Sequence, residues 1–182
     1  PLAYDQQTGF GLVQALDRLD LPALELGDSA SARLGDPVIL ADGTGNAIRT
    51  TVVARQEFAG YWEYLLDDAI FTAPAHPSWG GAALIGADGK LLGIGSLRLQ
   101  MISSGEVADI NMAVPIGLLP PILDDLLTRG EADRPPRPWL GVFSAESDGQ
   151  VIVMSVAENG PAAAAGLRRG DIKILVATDV AA

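Results

Sequence analysis

The 182-residue chain contains no cysteine. Disulfide staples, thiolate nucleophiles and cysteine-bound zinc are therefore excluded. Histidine occurs once, at His76, so no H-x-x-x-H pair exists to hold a metal, and neither a metal nor another cofactor is expected. A phosphate cradle is also missing, because Gly43-Thr44-Gly45 lacks the following helix and lysine that such a loop uses. Positive charge is scarce, with 12 basic against 23 acidic residues and a net charge of −11. That balance opposes nucleic acid and anionic membrane surfaces, both of which select a basic footprint. No apolar run approaches the ~20 residues that cross a bilayer as a helix. No basic segment followed by an apolar run opens the chain, as a signal peptide would. It begins abruptly at Pro1-Leu2-Ala3-Tyr4, as a fragment does.

What is present is apolar and finely punctuated. Hydrophobic residues make up 48% of the chain, and 21 glycines and 12 prolines cut it into short segments. This pattern predicts many short strands rather than long helices. Strands are expected at 10–16, 37–41, 47–58 and 63–72, the last facing its predecessor across Ala59-Gly60. Segments 82–85 and 90–97 flank Ala87-Asp88-Gly89, and Asp-Gly between apolar runs is a hairpin signal. Another strand is expected at 107–114. Ile116, Leu119, Ile122, Leu123, Leu126 and Leu127 then recur at helical spacing. Pro120-Pro121 interrupts that run, so the helix is placed from about Ile122 to Gly130. Residues 131–138, Glu-Ala-Asp-Arg-Pro-Pro-Arg-Pro, resist helix and sheet and read as a semi-rigid linker. Beyond it, strands are expected at 139–143, 151–156 and 171–177, with a short helix at 161–167.

Four segments carry a family resemblance. Leu84 to Ile94 resembles the strand-turn-strand that follows the nucleophile in HtrA-type serine proteases. Ser29-Ala-Ser-Ala-Arg-Leu-Gly-Asp36 is similar to their S-D-x-L-x-x-G-D stretch. Asp109-Ile-Asn-Met-Ala-Val-Pro115 is similar to the N-I-G-F-A-I-P strand bordering the specificity pocket. Asn159-Gly-Pro-Ala-Ala-Ala-Ala-Gly-Leu-Arg-Arg-Gly-Asp-Ile172 resembles the signature of bacterial PDZ domains. The resemblance implies a mostly β chain: the C-terminal β-barrel lobe of a trypsin-like protease over residues 1–130, a linker over 131–138, and an incomplete PDZ domain over 139–182. On this resemblance the N-terminal lobe, which carries the family's catalytic histidine, is expected to lie outside the given sequence. The face bearing Phe10, Trp79 and Asn111 to Ala113 is then expected to lie open to that lobe or to further copies of the chain.

Serine proteolysis needs a hydroxyl nucleophile, an imidazole base and a carboxylate that orients it. The family supplies the nucleophile as G-N-S-G-G-P. Counted back eight from Asp88, that position holds Gly80. Matching the Gly-Gly pair instead places it at Trp79 and needs one insertion. Ser78 is the nearby hydroxyl, but using it needs two extra residues in a turn whose backbone also forms the oxyanion hole. The family's D-I-A-L-I strand corresponds to Gly9 to Val13, so the acid position holds Gly9, and Asp5 reads as a solvated residue of the preceding turn. His76 lies on the loop leading to the nucleophile position, with no evident carboxylate or hydroxyl partner. Asp67-Asp68 and Asp124-Asp125 read as surface charge pairs, not metal ligands.

In the PDZ-like part, Trp139-Leu140-Gly141-Val142 resembles the loop that receives a peptide carboxylate, with an extended peptide added to the adjacent sheet edge. Two functions are weighed. One is a protease homologue without chemistry, binding peptides or unfolded segments and acting in envelope protein quality control, periplasmic or membrane-anchored. The alternative is an active endopeptidase degrading misfolded proteins, its remaining catalytic residues lying outside this chain. Gly9 and Gly80 favour the first. A structural domain unrelated to proteases is the third reading.

Overall fold

A computed structural model of the chain describes residues 2–60, 64–103, 106–135, 139–147 and 150–173. It divides into two compact units, Pro1–Asp133 and Arg134–Ala182.

The first unit is built on a closed barrel of six antiparallel strands. These are β3 (Pro37–Ala41), β4 (Ala47–Ala59), β5 (Leu65–Ala73), β6 (Ala83–Ile85), β7 (Leu91–Ser103) and β8 (Glu106–Pro115), arranged around the ring as β3-β4-β5-β8-β7-β6. Closure comes from β3, which pairs β4 along one edge and β6 along the other, Leu40 opposite both Ile48 and Leu84. A barrel leaves no open sheet edge. Val38, Leu40, Val52, Ile70, Leu84, Leu92 and Ala113 form one buried cluster. Every one of the six strands contributes to it, so it is the barrel interior. Alternate residues on the same strands, Phe71, Met112 and Val114, join Leu66, Ile110 and Phe10 in a second cluster on the outer wall. Residues 69–71 of β5 and 112–114 of β8 are thus buried on both faces, and both stretches are apolar.

Before the barrel, β1 (Ala3–Tyr4) and β2 (Gly11–Leu12) form a short antiparallel pair. After it, residues 116–118 make a 3-10 turn, and helix α1 (Pro120–Arg129) ends at Gly130 with φ +82°. Ala3, Ile122 and Leu126 pack together, joining the β1–β2 pair to α1. Where the connecting chain meets the barrel, Arg55 of β4 donates to the carbonyls of Ser29 (2.6 Å) and Ala32 (2.7 Å) and forms a bidentate pair with Asp68 of β5. The Ser29 hydroxyl accepts the Gly117 N–H at 3.1 Å.

The second unit contains a three-stranded sheet ordered β11-β10-β9, from β9 (Val142–Ser147), β10 (Gln150–Val156) and β11 (Ile172–Lys173). The one-turn helix α2 (Pro161–Ala164) follows β10.

The expected strands at 37–41, 47–58, 63–72, 82–85, 90–97 and 107–114 are present with modest changes of end. Three expectations need correction. The strand expected over 10–16 stops at Leu12, because its partner β1 is only two residues long and Val13 and Leu16 are exposed. The helix starts at Pro120 rather than near Ile122, since both prolines sit in the first turn, where backbone N–H groups have no helical partner. In the second unit β9 starts at Val142 rather than 139. The expected strand 171–177 lies largely outside the described residues.

Arg55 is mostly buried beneath its partners, whereas the Asp68 side chain is half exposed. Arg55→Ala is therefore expected to lower stability by about 2–4 kcal/mol, because it strips two buried-side carbonyls of a charged donor. Asp68→Ala is expected to cost under about 1 kcal/mol, as for an exposed ion pair. Urea denaturation of the two variants measures the difference, and equal losses would show that the carbonyl clamp does not matter.

Candidate functional site

The residues after β5 turn sharply onto β7. Ala82 N–H donates to the Trp79 carbonyl at 3.0 Å, closing a turn whose central residues are Gly80 and Gly81. Gly81 has φ +77°, the left-handed conformation that a turn gives to glycine at its third position. Gly81 N–H then donates to Gly95 O (2.8 Å), and Gly95 N–H donates to Ala82 O (2.7 Å). A Cβ on Gly95 would collide with the Trp79 carbonyl oxygen, so the turn lies directly on the β7 backbone. The β7–β8 register slips between Gly95 and Leu97. A bulge of this kind leaves Ser96 out of the ladder and re-aims it.

Opposite this turn, the segment after β1 brings in Gly9 and Phe10. Gly9, Phe10, Gly11, Val13, Gly80, Gly81, Ile94, Gly95, Ser96 and Val114 line one cleft of about 490 Å3. Half of these residues are glycine, so much of the wall is bare backbone, with Phe10, Ile94 and Val114 as apolar patches. The positions that the resemblance gives to the acid and the nucleophile, Gly9 and Gly80, lie far apart in sequence and meet in this cleft. They differ in what each would tolerate. A Cβ at Gly80 meets no atom within 4 Å. At Gly9, with φ +79°, a Cβ would strike the ring of Tyr64, whose hydroxyl hydrogen-bonds Ser96 Oγ. Tyr64 thus fills the space into which an acid side chain from position 9 would project.

The other candidates fall elsewhere. Ser78 is exposed and does not line the cleft. His76 is 2% exposed. Its backbone N–H donates to Asn111 Oδ1 at 2.5 Å, and its ring Nδ1 accepts the Ser78 backbone N–H at 3.0 Å. This leaves the ring proton on Nε2 and ties the imidazole into the loop itself. The reading of Asp5 as solvated is overturned. It is 7% exposed, and its Oδ2 accepts both the N–H (2.9 Å) and the hydroxyl (2.6 Å) of the buried Thr8. The carboxylate closes the turn that delivers Gly9, and the D-x-x-T spacing is the signal that identifies such a turn. Of the face expected to lie open, Phe10 and Asn111 to Ala113 are buried, whereas Trp79 is half-buried. Exposed apolar residues include Val13, Leu16, Leu19 and Leu21 on the connecting segment. Asp67 and Asp68 are both exposed, and Asp68 pairs with Arg55. No group of three His, Cys, Asp or Glu that would hold a metal occurs among the described residues.

Sequence reasoning passed over Tyr64, Ser96, Ile94 and Gly11. No local pattern marks them, because their roles come from strand register and long-range packing.

In the second unit, β9 lies at one edge of the described sheet. Gly141 has φ +72°, and its carbonyl accepts Ala157 N–H at 2.8 Å while the Leu140 carbonyl accepts Ala162 N–H at 3.0 Å. The Trp139 ring lies over Gly141 and Gly160, where an added Cβ would come to 3.1 Å and 3.3 Å from it. Trp139, Leu140 and Phe143 are each more than half exposed, and Val142 is half-buried.

No family model matches the chain. Relatives do. It is 29% identical over 198 residues to the serine protease Do-like HtrA of Bacillus subtilis strain 168, across 93% of this chain and 43% of that protein. It is 27% identical over 172 residues to a probable periplasmic serine endoprotease, DegP-like, of Pseudomonas fulva strain 12-X, across 84% of this chain and 34% of that one. Among solved structures it superposes on the HtrA-type protease AlgW with decapeptide at a TM-score of 0.54 and 27% identity, covering 85% of this chain and 51% of AlgW. The chain therefore spans about half or less of the length of these three proteins.

The two glycines of the cleft are expected to respond oppositely to substitution. Gly80→Ser meets open space at an ordinary φ and should change stability by less than about 0.5 kcal/mol. Gly9→Asp combines a left-handed backbone with a clash against Tyr64 and should cost about 2–4 kcal/mol. Thermal unfolding of the two variants reads this. Equal tolerance at both positions would mean that Tyr64 does not hold the space beside Gly9.

Proposed function

From the premise that the chain carries the HtrA-type protease fold, we propose that it is an HtrA-like protease homologue that binds polypeptide without cutting it. The observation that carries this reading is the presence of glycine at both cleft positions, 9 and 80, lining the same 490 Å3 space. Loss of one triad member costs several orders of magnitude in rate, and here neither position 80 nor position 9 carries a hydroxyl or a carboxylate. Ser78 does not replace the first, nor Asp5 the second. The Asp5 carboxylate is engaged by Thr8 in its own turn, and Ser78 is exposed and does not line the cleft.

Binding remains possible on physical grounds. A cleft walled by bare backbone and apolar side chains suits an extended peptide, which offers N–H and C=O groups and intermittent side chains. The AlgW structure superposed here holds a decapeptide, and another of the same protein holds a tripeptide. In the second unit, the edge of β9 with Trp139, Leu140, Gly141 and Val142 is read as the peptide-receiving loop of a partial PDZ domain. Gly141 lets the Trp139 ring lie close over the loop, and Trp139 and Leu140 supply apolar area. The exposed Val13, Leu16, Leu19 and Leu21 are read as the surface that an N-terminal lobe or a further copy of the chain covers. A relative named as a periplasmic endoprotease supports a periplasmic location and a role in binding or regulation during envelope protein quality control.

Incubation of the purified chain with casein is expected to yield no fragments, and a fluorophosphonate probe is expected to leave it unlabelled. Covalent labelling at Ser78 would overturn the proposal in favour of an active peptidase.

A further inference from the structure

An acyl-transfer site of this fold receives the developing oxyanion on two backbone N–H groups, that of the nucleophile and that of the residue two before it. With Gly80 at the nucleophile position, those donors are Gly80 N–H and Ser78 N–H. The two are in different states. Gly80 N–H makes no hydrogen bond among the described residues. Ser78 N–H is taken by His76 Nδ1 at 3.0 Å.

The acceptor is not a passing surface side chain. His76 is 2% exposed, its N–H is held by Asn111 Oδ1 at 2.5 Å, and its carbonyl receives Asn111 Nδ2 at 3.4 Å. Asn111 is itself 1% exposed and is fixed in β8, opposite Thr72 of β5 and Arg98 of β7. The imidazole therefore reaches Ser78 from an anchored base. This is the geometry of an Asx turn, in which a side chain accepts the N–H two residues on, with a ring nitrogen in place of the amide oxygen.

We propose that His76 is a positioning residue that closes the anion-receiving loop: it occupies Ser78 N–H within the protein and leaves Gly80 N–H as a single donor. A lone amide binds an anion far more weakly than a converging pair. In this state the turn offers a carboxylate or oxyanion one amide donor in place of two. This inference rests on the reading of Gly80 as the nucleophile position. The bond to His76 itself does not.

Backbone-resolved NMR of the full chain tests both parts separately. The first measurement is Ser78 amide hydrogen exchange in the wild type, in His76→Ala and in His76→Asn, together with the wild-type ring tautomer from long-range nitrogen–proton spectra. The wild type is expected to show the Nε2–H tautomer and a protected Ser78 amide. His76→Ala should lose protection roughly tenfold, as for one hydrogen bond, while His76→Asn restores it by forming the ordinary Asx turn. A Ser78 amide equally protected in His76→Ala, or a wild-type ring with its proton on Nδ1, would overturn the lock. If His76→Ala does not fold, the tautomer and His76→Asn still decide. The second measurement is titration with N-acetyl-leucine, a carboxylate, and N-acetyl-leucinamide, its neutral counterpart. The wild type is expected to shift Gly80, Gly81 and Gly95 amides with the amide but not with the carboxylate. His76→Ala should respond to the carboxylate at Ser78 and Gly80. With the lock intact, a variant that ignores the carboxylate would refute the assignment of Ser78 and Gly80 as an anion-receiving pair.

Discussion

The cleft depends on one close approach, that of the Trp79–Ala82 turn onto the backbone of Gly95. The two segments exchange hydrogen bonds of 2.8 Å and 2.7 Å, and no side chain fits between them at position 95. An extra methyl there would push the turn off β7 and carry Gly80 and Gly81 with it. The barrel makes this approach rigid. β6 is locked between β3 and β7, so the turn that feeds it has little freedom. The bulge at Ser96 starts where the turn is seated, so one irregularity both receives the turn and re-aims a polar side chain.

The opposite wall is held by different physics. Phe10 is buried in the outer-wall cluster with Phe71, Met112 and Val114, and Asp5 ties the preceding turn together through Thr8. These anchors flank Gly9 on both sides and fix its left-handed backbone. Tyr64 then covers it and bonds Ser96 on the facing wall. The cleft is thus bridged beside Gly9 and open beside Gly80. That asymmetry suits a recognition surface, since the bridging pair stabilises the walls without placing a charge in the space between them.

Much of this architecture was legible in the sequence. Gly and Pro punctuation located the barrel strands, Asp88-Gly89 located a hairpin, and Gly130 located the helix end, because each reports a local backbone requirement. The positions of Gly9 and Gly80 were legible only through resemblance, and their meeting in one cleft depends on barrel closure, which no local signal encodes. Three features could not be read. Val13 and Leu16 look like strand residues, but a strand needs a partner, and β1 offers two residues. His76 reads as a loop histidine without an evident partner, yet Asn111, 35 residues away, draws it inside. Tyr64 carries no motif, and its role follows from the register of β4 and β5.

The central claim is that this cleft holds polypeptide without breaking it. The most direct measurement follows backbone amide signals while reduced, carboxymethylated α-lactalbumin, a permanently unfolded chain, is titrated in, with mass spectrometry of the same sample after prolonged incubation. The account predicts shifts at Gly80, Gly81, Gly95 and Ser96 and an α-lactalbumin of unchanged mass. Cleaved α-lactalbumin, or saturable binding that leaves all four amides unmoved, would contradict it.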